Sequence, residues 1–74
     1  MQDINYEVEQ EFGVISESKN GWTKEVNLVK FNDMAPKYDI RDWNPDKTKM
    51  SKGIRLTEDE LVRLRDILNE ILGE

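Results

Sequence analysis

The sequence contains no cysteine and no histidine, and none of its apolar runs is longer than two residues. Without cysteine the chain can form neither a disulfide nor a thiolate zinc site, the usual reinforcements of a small domain. Without histidine it lacks the commonest general base and the commonest metal ligand, so we expect no enzyme activity, no small-molecule substrate, no cofactor and no metal. Without a long apolar run we expect no membrane-spanning segment, no secretory signal and no membrane partner, which predicts a cytoplasmic protein.

The chain is also short and polar. We expect a single domain over residues 1–74, and a chain of this size buries only about 60% of the surface that its unfolded form exposes. Apolar and charged residues each make up 36% of the sequence, with two residues each of tryptophan, tyrosine and phenylalanine. This composition is typical of a folded domain rather than a disordered tail. Because disulfides and metals are excluded, association of subunits is the remaining way to enlarge the core.

Charge is distributed unevenly along the chain, whose formal net charge is −5. Residues 1–18 contribute −5 (five acids, no base), residues 19–55 contribute +4 (nine bases, five acids) and residues 56–74 contribute −4 (six acids, two bases). Both tryptophans and Phe31 lie in the basic middle segment. Such a segment can present one face to an anion while the acidic ends keep the chain soluble.

Alternation of apolar and polar residues predicts four strands, over about residues 6–16, 22–31, 37–43 and 50–56. The apolar side chains of one parity in the first strand are Tyr6, Val8, Phe12 and Val14. Gly13 can allow a bulge in that strand. Asn20-Gly21 favours a two-residue type I′ turn, so the second strand should begin at Trp22.

The same alternation assigns the two faces of the sheet. The side chains predicted to face the core are Val26, Leu28, Tyr38 and Ile40. Phe31 and Trp43 have the opposite parity, together with Lys37 and Arg41. We therefore expect both rings to face water beside cations, on the side of the sheet that does not carry the core.

A helix should follow the last strand. Thr57 and Glu60 have the spacing of a capping box, which predicts a helix over about residues 58–72, and Gly73 offers a C-terminal stop. Leucines and isoleucines recur at spacings of three and four along it, which gives one apolar stripe that is either core or a dimer contact. The predicted fold class is α+β, a four-stranded antiparallel sheet followed by one C-terminal amphipathic helix.

Rings beside cations suit a single-stranded nucleic acid, because unpaired bases stack on aromatic side chains while phosphates pair with lysine and arginine. The cations that join this candidate surface are Lys24, Lys37, Arg41, Lys49 and Lys52. Lys19 and Trp22 are further candidate binding residues, and Trp22 is either a core residue or a further stacking ring. A magnesium site at Asp39, Asp42 and Asp46 is not favoured, because Asp39 and Asp42 point to opposite faces of a strand.

Two sequence motifs resemble the positive cofactor four family of transcriptional coactivators, and within it the bacterial YdbC-like branch. They are Tyr38-Asp39-Ile40-Arg41-Asp42-Trp43 and Lys52-Gly53-Ile54-Arg55-Leu56-Thr57, which leads into the amphipathic helix. The resemblance covers about residues 22–72 and is carried by the spacing of these motifs. It implies a curved sheet, a homodimer formed through helices and outer strands, and binding of single-stranded DNA with little sequence preference.

The resemblance also implies roles for individual residues. Phe31 and Trp43 resemble the family's stacking rings, Arg41 its phosphate-contacting arginine, and Lys37, Lys49 and Lys52 its basic residues. Better-known members carry Arg-Glu-Tyr-Trp where this chain has Arg41-Asp42-Trp43, so Trp43 could correspond to either aromatic position.

The resulting hypothesis is a homodimer that binds single-stranded DNA and acts in transcription regulation or DNA maintenance. RNA is a second candidate ligand, since a stacking platform accepts both nucleic acids. The alternative is a protein–protein interaction module that uses the acidic N-terminal strand, with Glu7, Glu9 and Glu11, or the helix face.

Overall fold

The computed structural model describes residues 5–74, so the first four residues of the predicted domain lie outside the described residues. The elements are β1 (Tyr6–Glu17), β2 (Thr23–Phe31), β3 (Lys37–Trp43), β4 (Ile54–Leu56) and α1 (Glu58–Leu72). The four strands form one antiparallel sheet in the order β1-β2-β3-β4. The predicted fold class is therefore confirmed. Across residues 5–74, no helix has both the length and the apolar character to cross a membrane.

The fourth strand is shorter than predicted. Residues 44–53 form a connection in which Met50 makes a single bridge to Trp43, and regular pairing begins only at Ile54. Gly53 lies so close to β3 that a Cβ atom there would be 2.5 Å from the Ile40 carbonyl oxygen. Only glycine permits this approach, which brings the connection against the strand that carries Arg41.

The turn between β1 and β2 also differs from the prediction. It spans residues 18–22, and of its residues only Gly21 has a positive φ, at 86°. The Gly21 amide donates to the Ser18 carbonyl (3.0 Å) and the Ser18 amide donates to the Trp22 carbonyl (2.7 Å). A type I′ turn needs two positive φ values. The expected two-residue turn is therefore wrong, and Trp22 belongs to the loop rather than to β2.

Strand β1 pairs irregularly with β2. The register shifts between Val8 and Gln10, between Glu11 and Gly13, and between Val14 and Ser16, so the bulge expected near Gly13 is present with two further ones. After each shift, the side chains of β1 that faced one side of the sheet alternate in the opposite sense. As a result Glu11, opposite Asn27, shares a face with Tyr6 and Val8, whereas the Phe12 ring lies 5.9 Å from that of Tyr38 on the other face.

The sheet is strongly curled. Tyr6 pairs with Phe31 at one end of β2, and Trp43 pairs with Thr23 at the other end. Eight residue steps of a flat strand would span about 26 Å, yet the Tyr6 ring centroid lies 6.1 Å from that of Phe31 and 5.6 Å from that of Trp43. The side of the sheet that carries these rings is therefore concave. We call it the inner face, and the opposite side the outer face.

The curl reverses the predicted core. The buried residues are Glu25, Asn27, Val29, Phe31, Asp39 and Trp43, all on the inner face. The predicted core residues of the outer face, Val26, Leu28, Tyr38 and Ile40, are only half-buried. A curled sheet brings the side chains of its concave side together, so it covers that side without help from a second layer. The assignment of the outer face as the main core is therefore wrong for the chain by itself.

Helix α1 is capped as predicted. The Thr57 hydroxyl accepts from the Glu60 amide (3.2 Å), the Glu60 carboxylate accepts from the Thr57 amide (2.8 Å), and Gly73 ends the helix with a φ of 76°. Among the strands, the helix contacts β3 and β4. Leu61 and Leu64 are half-buried, and every helix residue from 65 onward is exposed. Most of the apolar stripe therefore faces solvent.

Candidate nucleic-acid interface

Phe31 and Trp43 do not face water. Phe31 is 8% exposed and Trp43 is 2% exposed, and the Tyr6 ring lies against both. The guanidinium carbons of Arg41 and Arg55 lie 5.0 and 4.5 Å from the centre of the Phe31 ring. The expectation of two open ring faces is therefore wrong. The rings have the predicted parity, and of the predicted cations Arg41 lies against Phe31, but the curl of the sheet closes that side over them.

Arg41 is held by a buried acid. Its Nε and Nη2 atoms each donate at 2.6 Å to the two carboxylate oxygens of Asp39, whose side chain is 0% exposed. This bidentate geometry is the strongest form of ion pair. The remaining amino nitrogen, Nη1, points to the connection before β4, where it contacts Met50 Sδ (3.2 Å) and the Ser51 carbonyl (3.4 Å). The edge of the Arg41 guanidinium formed by Nε and Nη2, which we call its fork, is therefore neutralised by Asp39. The Nη1 amino group lies near the connection before β4.

Arg55 was not among the predicted site residues, although it lies on the inner face. It pairs with Asp39 across strands β3 and β4. Its Nε and Nη2 atoms are buried and have no hydrogen-bond partner among residues 5–74. The only other such side-chain atoms in that part of the chain are Asn27 Oδ1 and Trp43 Nε1, also on the inner face. The alternation of Ile54, Arg55 and Leu56 could have assigned Arg55 to this face from sequence.

The predicted cations do not share one side of the sheet. Lys24 is opposite Asp42 on the outer face and forms an ion pair with it (3.3 Å), with both side chains about half exposed. Lys37 lies on the inner side at the other end of β3, opposite Val29. The expectation of a single cationic face is therefore wrong. The predicted cations lie on both faces and at both ends of the sheet.

Most of them meet where the β1–β2 turn and the β3–β4 connection lie side by side. We call this region, residues 18–24 and 42–53, the loop end. The two loops are in contact, because a Cβ atom on Gly21 would be 2.9 Å from Pro45 Cγ. The loop end contains five lysines and two acids. Lys19, Lys49 and Lys52 are exposed and take part in none of the ion pairs found in residues 5–74.

Hydrogen bonds within the connection hold its shape. Asn44 accepts from the Lys49 amide (2.8 Å) and donates to the Thr48 hydroxyl (3.0 Å). Bonds from the Thr48 hydroxyl (2.6 Å) and amide (3.2 Å) keep the pKa of Asp46 below its ordinary value. Because this pKa is lowered, the support that Asp46 gives to the turn is lost only as the pH falls through the acid range. Lys47, whose φ is 62°, is turned back to pair with the buried carboxylate of Glu25.

Trp22 is the predicted ring that keeps a solvent-facing side. It is half-buried and lines an open groove of about 380 Å³ between the turn and the start of β2. Lys24 and Asp42 lie in the same groove. Trp22 is therefore neither a fully buried core residue nor a fully exposed ring. Among residues 5–74, no cluster of three acidic side chains suits a metal ion.

The fold is a small α+β domain whose loop end carries exposed lysines and a half-buried tryptophan. Comparison with known proteins gives the family: the model described as Transcriptional Coactivator p15 (PC4) matches residues 18–67. The chain belongs to this family, which confirms the resemblance seen in its two motifs. It is also 49% identical over 69 residues to an "Uncharacterized protein" of Treponema pallidum (strain Nichols), covering 93% of this chain and 81% of that protein.

Proposed function

We propose that this protein binds single-stranded DNA at the loop end, as its family suggests. The observation that carries the proposal is the contact between two segments, one with Lys19, Trp22 and Lys24 and the other with Lys49 and Lys52. Unpaired bases have free ring faces that can stack on an indole, and their phosphates need cations that are not already neutralised. The loop end supplies both, whereas duplex DNA keeps its ring faces within the base-pair stack.

Each residue has a definite part in this proposal. One base stacks on the open side of Trp22, and the exposed ammonium groups of Lys19, Lys49 and Lys52 contact phosphates. Lys24 can exchange Asp42 for a phosphate at little cost, because half-exposed ion pairs contribute only about 0–1 kcal/mol. Phe31 and Trp43 do not touch the ligand in this proposal, because both are packed in the inner face. Lys37, at the other end of β3, extends the path for a longer strand.

The first test is the salt dependence of oligo(dT) binding. For single strands the logarithm of the affinity falls with the logarithm of the salt concentration by about 0.7 per phosphate contacted. We expect the double variant Lys49→Gln/Lys52→Gln to lower this slope by about 1.4. Fluorescence anisotropy at a series of salt concentrations measures it.

The matched control is Arg63→Gln, because Arg63 is exposed on the helix and distant from both loops in sequence. It should leave the slope unchanged. An equal loss with Arg63→Gln, or a wild-type slope near zero, would show that the loop end is not the site.

We further propose that the protein is a homodimer formed through α1. Exposed apolar side chains line its second half, with Ile71 at 71% and Leu72 at 72% exposure. Leu61, Leu64, Leu68 and Leu72 line one apolar groove along the helix. A chain of this size has little core to spare, and contiguous exposed apolar surface marks an interaction site. A second copy of the same helix matches the length and character of this stripe.

Leu68→Lys is expected to convert the dimer to a monomer, because it places a charge in the middle of the apolar groove. Since Leu68 is exposed in the single chain, the fold of the subunit should survive. Sedimentation velocity measures the change. Glu70→Lys, on the opposite side of the helix, introduces the same residue and should remain dimeric. A monomeric wild-type protein would exclude the dimer.

With this activity goes a role in transcription regulation or DNA maintenance in the bacterial cytoplasm. The related protein of Treponema pallidum comes from a bacterium, and family membership supports a role with DNA. The proposal contains no catalytic step.

A further inference from the structure

Two guanidinium groups compete for one buried carboxylate. Asp39 is bound by the Nε and Nη2 atoms of Arg41, which lies two residues away on the same strand. It is also the direct cross-strand partner of Arg55. The corresponding edge of Arg55, formed by its own Nε and Nη2 atoms, has no partner among the described residues. The two arginines therefore present the same fork, one occupied and one empty.

The empty fork belongs to the residue directly opposite Asp39 in the sheet. Directly opposed residues of an antiparallel pair have Cβ atoms about 4.5–5.5 Å apart. Both guanidinium groups rest near the same Phe31 ring, at 5.0 and 4.5 Å from its centre. Because Arg55 is the direct cross-strand partner of Asp39, it is the cation to which the Asp39 carboxylate would pass by rotation of the side chains.

The Arg41 side chain is only 11% exposed, so its fork must turn outward to reach a ligand once it is released. Its Nη1 atom already points to Met50 and Ser51 of the loop end, next to Lys49 and Lys52. While Asp39 holds its fork, Arg41 has no net charge to offer a phosphate. Leaving Asp39 buried without a partner would be costly. Arg41 can therefore contact nucleic acid only if another cation takes over that carboxylate.

We propose that Arg55 is this cation: when a phosphate reaches the loop end, Asp39 passes from Arg41 to Arg55, and the fork of Arg41 binds the phosphate. Arg55 is thus a positioning residue, which acts through Arg41 and does not touch the ligand. This inference rests on the proposed function, because it needs a nucleic acid at the loop end. It keeps Asp39 paired throughout and gives a partner to the buried donors of Arg55.

The test compares salt slopes for oligo(dT) binding by the wild-type protein, Arg41→Gln, Arg55→Lys and the double variant. Lysine keeps the charge of Arg55 but lacks the planar fork. We expect each single variant to lower the slope by about 0.7, the value for one phosphate on a single strand. The double variant should lose no more than either single variant, because both changes remove the same contact.

Other outcomes overturn the inference in distinguishable ways. Additive losses in the double variant would mean that Arg55 binds a phosphate itself, and a wild-type slope in Arg55→Lys would mean that it is only structural. A wild-type protein that binds no oligo(dT) would remove the proposed function and this inference together. If the protein binds oligo(dT) but the effects of the Arg41 and Arg55 variants are independent, the transfer of Asp39 is refuted and the proposed function stands.

A measurement on the wild-type protein avoids any effect of the variants on folding. The Nε–H resonance of Arg55 should shift when oligo(dT) is added, because that group gains the Asp39 carboxylate. The Nε–H resonance of Arg63, on the helix, is the control and should stay in place. Oligo(dT) binding that leaves the Arg55 resonance unmoved would refute the transfer.

Discussion

Replacing Trp43 by alanine is expected to destabilise the protein by about 3–5 kcal/mol, the cost of removing a large aromatic side chain from a packed interior. Trp43 is 2% exposed and lies against the Tyr6 ring, so the substitution leaves a cavity on the inner face. A small domain has a total stability of about 5–15 kcal/mol, and the loss is a large part of it. Urea denaturation followed by circular dichroism, at one fixed protein concentration, measures the change.

Trp22→Ala is the matched control, since it removes the same side chain from the half-buried position beside the open groove. It should weaken oligo(dT) binding by about 1–3 kcal/mol, the value of one stacked base, with a smaller loss of stability than Trp43→Ala. An unchanged urea midpoint in Trp43→Ala, with binding lost, would restore Trp43 as the stacking ring and remove it from the interior.

The second large effect is expected for Asp39→Asn. The substitution keeps the shape of the side chain but removes the carboxylate that binds Arg41 and lies opposite Arg55. Breaking a buried ion pair by removing one partner costs about 3–5 kcal/mol, because the remaining charge is left buried without compensation. The midpoint of urea unfolding should fall accordingly.

Asp42→Asn provides the comparison. Asp42 is three residues further along the same strand and pairs with Lys24 on the outer face, where both side chains are about half exposed. Its replacement should change the free energy of unfolding by no more than about 1 kcal/mol. If the two variants were equally stable, the bidentate pair of Asp39 and Arg41 would not support the fold.

Local chemistry explains why some features could be predicted. The capping box at Thr57 and Glu60 involves residues three apart, so its spacing in the sequence is its spacing in the helix. The order of the strands follows from short connections between neighbours, which restrict an antiparallel sheet to few topologies. Parity within a strand is equally local, and it correctly placed Phe31 and Trp43 on the face opposite to Val26 and Ile40.

Which face is buried could not be predicted in the same way. Parity separates two sets of side chains but does not say towards which set the sheet curls. The curl depends on the twist of all four strands and on three register shifts in β1, which are properties of the paired sheet. The prediction of a two-residue turn at Asn20-Gly21 was wrong for a related reason. The longer turn over residues 18–22 is accompanied by a contact between Gly21 and Pro45, which is distant in the sequence.

The amino-acid sequence by itself determined the family, the order of four strands and a capped helix, and the segment of the chain that carries the cations. These depend on residue types and on spacings along the chain, where each interaction joins near neighbours. Only the tertiary structure decided that Phe31 and Trp43 are covered, that Arg41 is neutralised by Asp39 while the fork of Arg55 is empty, and that the loop with Trp22 touches the loop with Pro45. Those outcomes follow from the curvature of the sheet, which brings together side chains that are far apart along the chain.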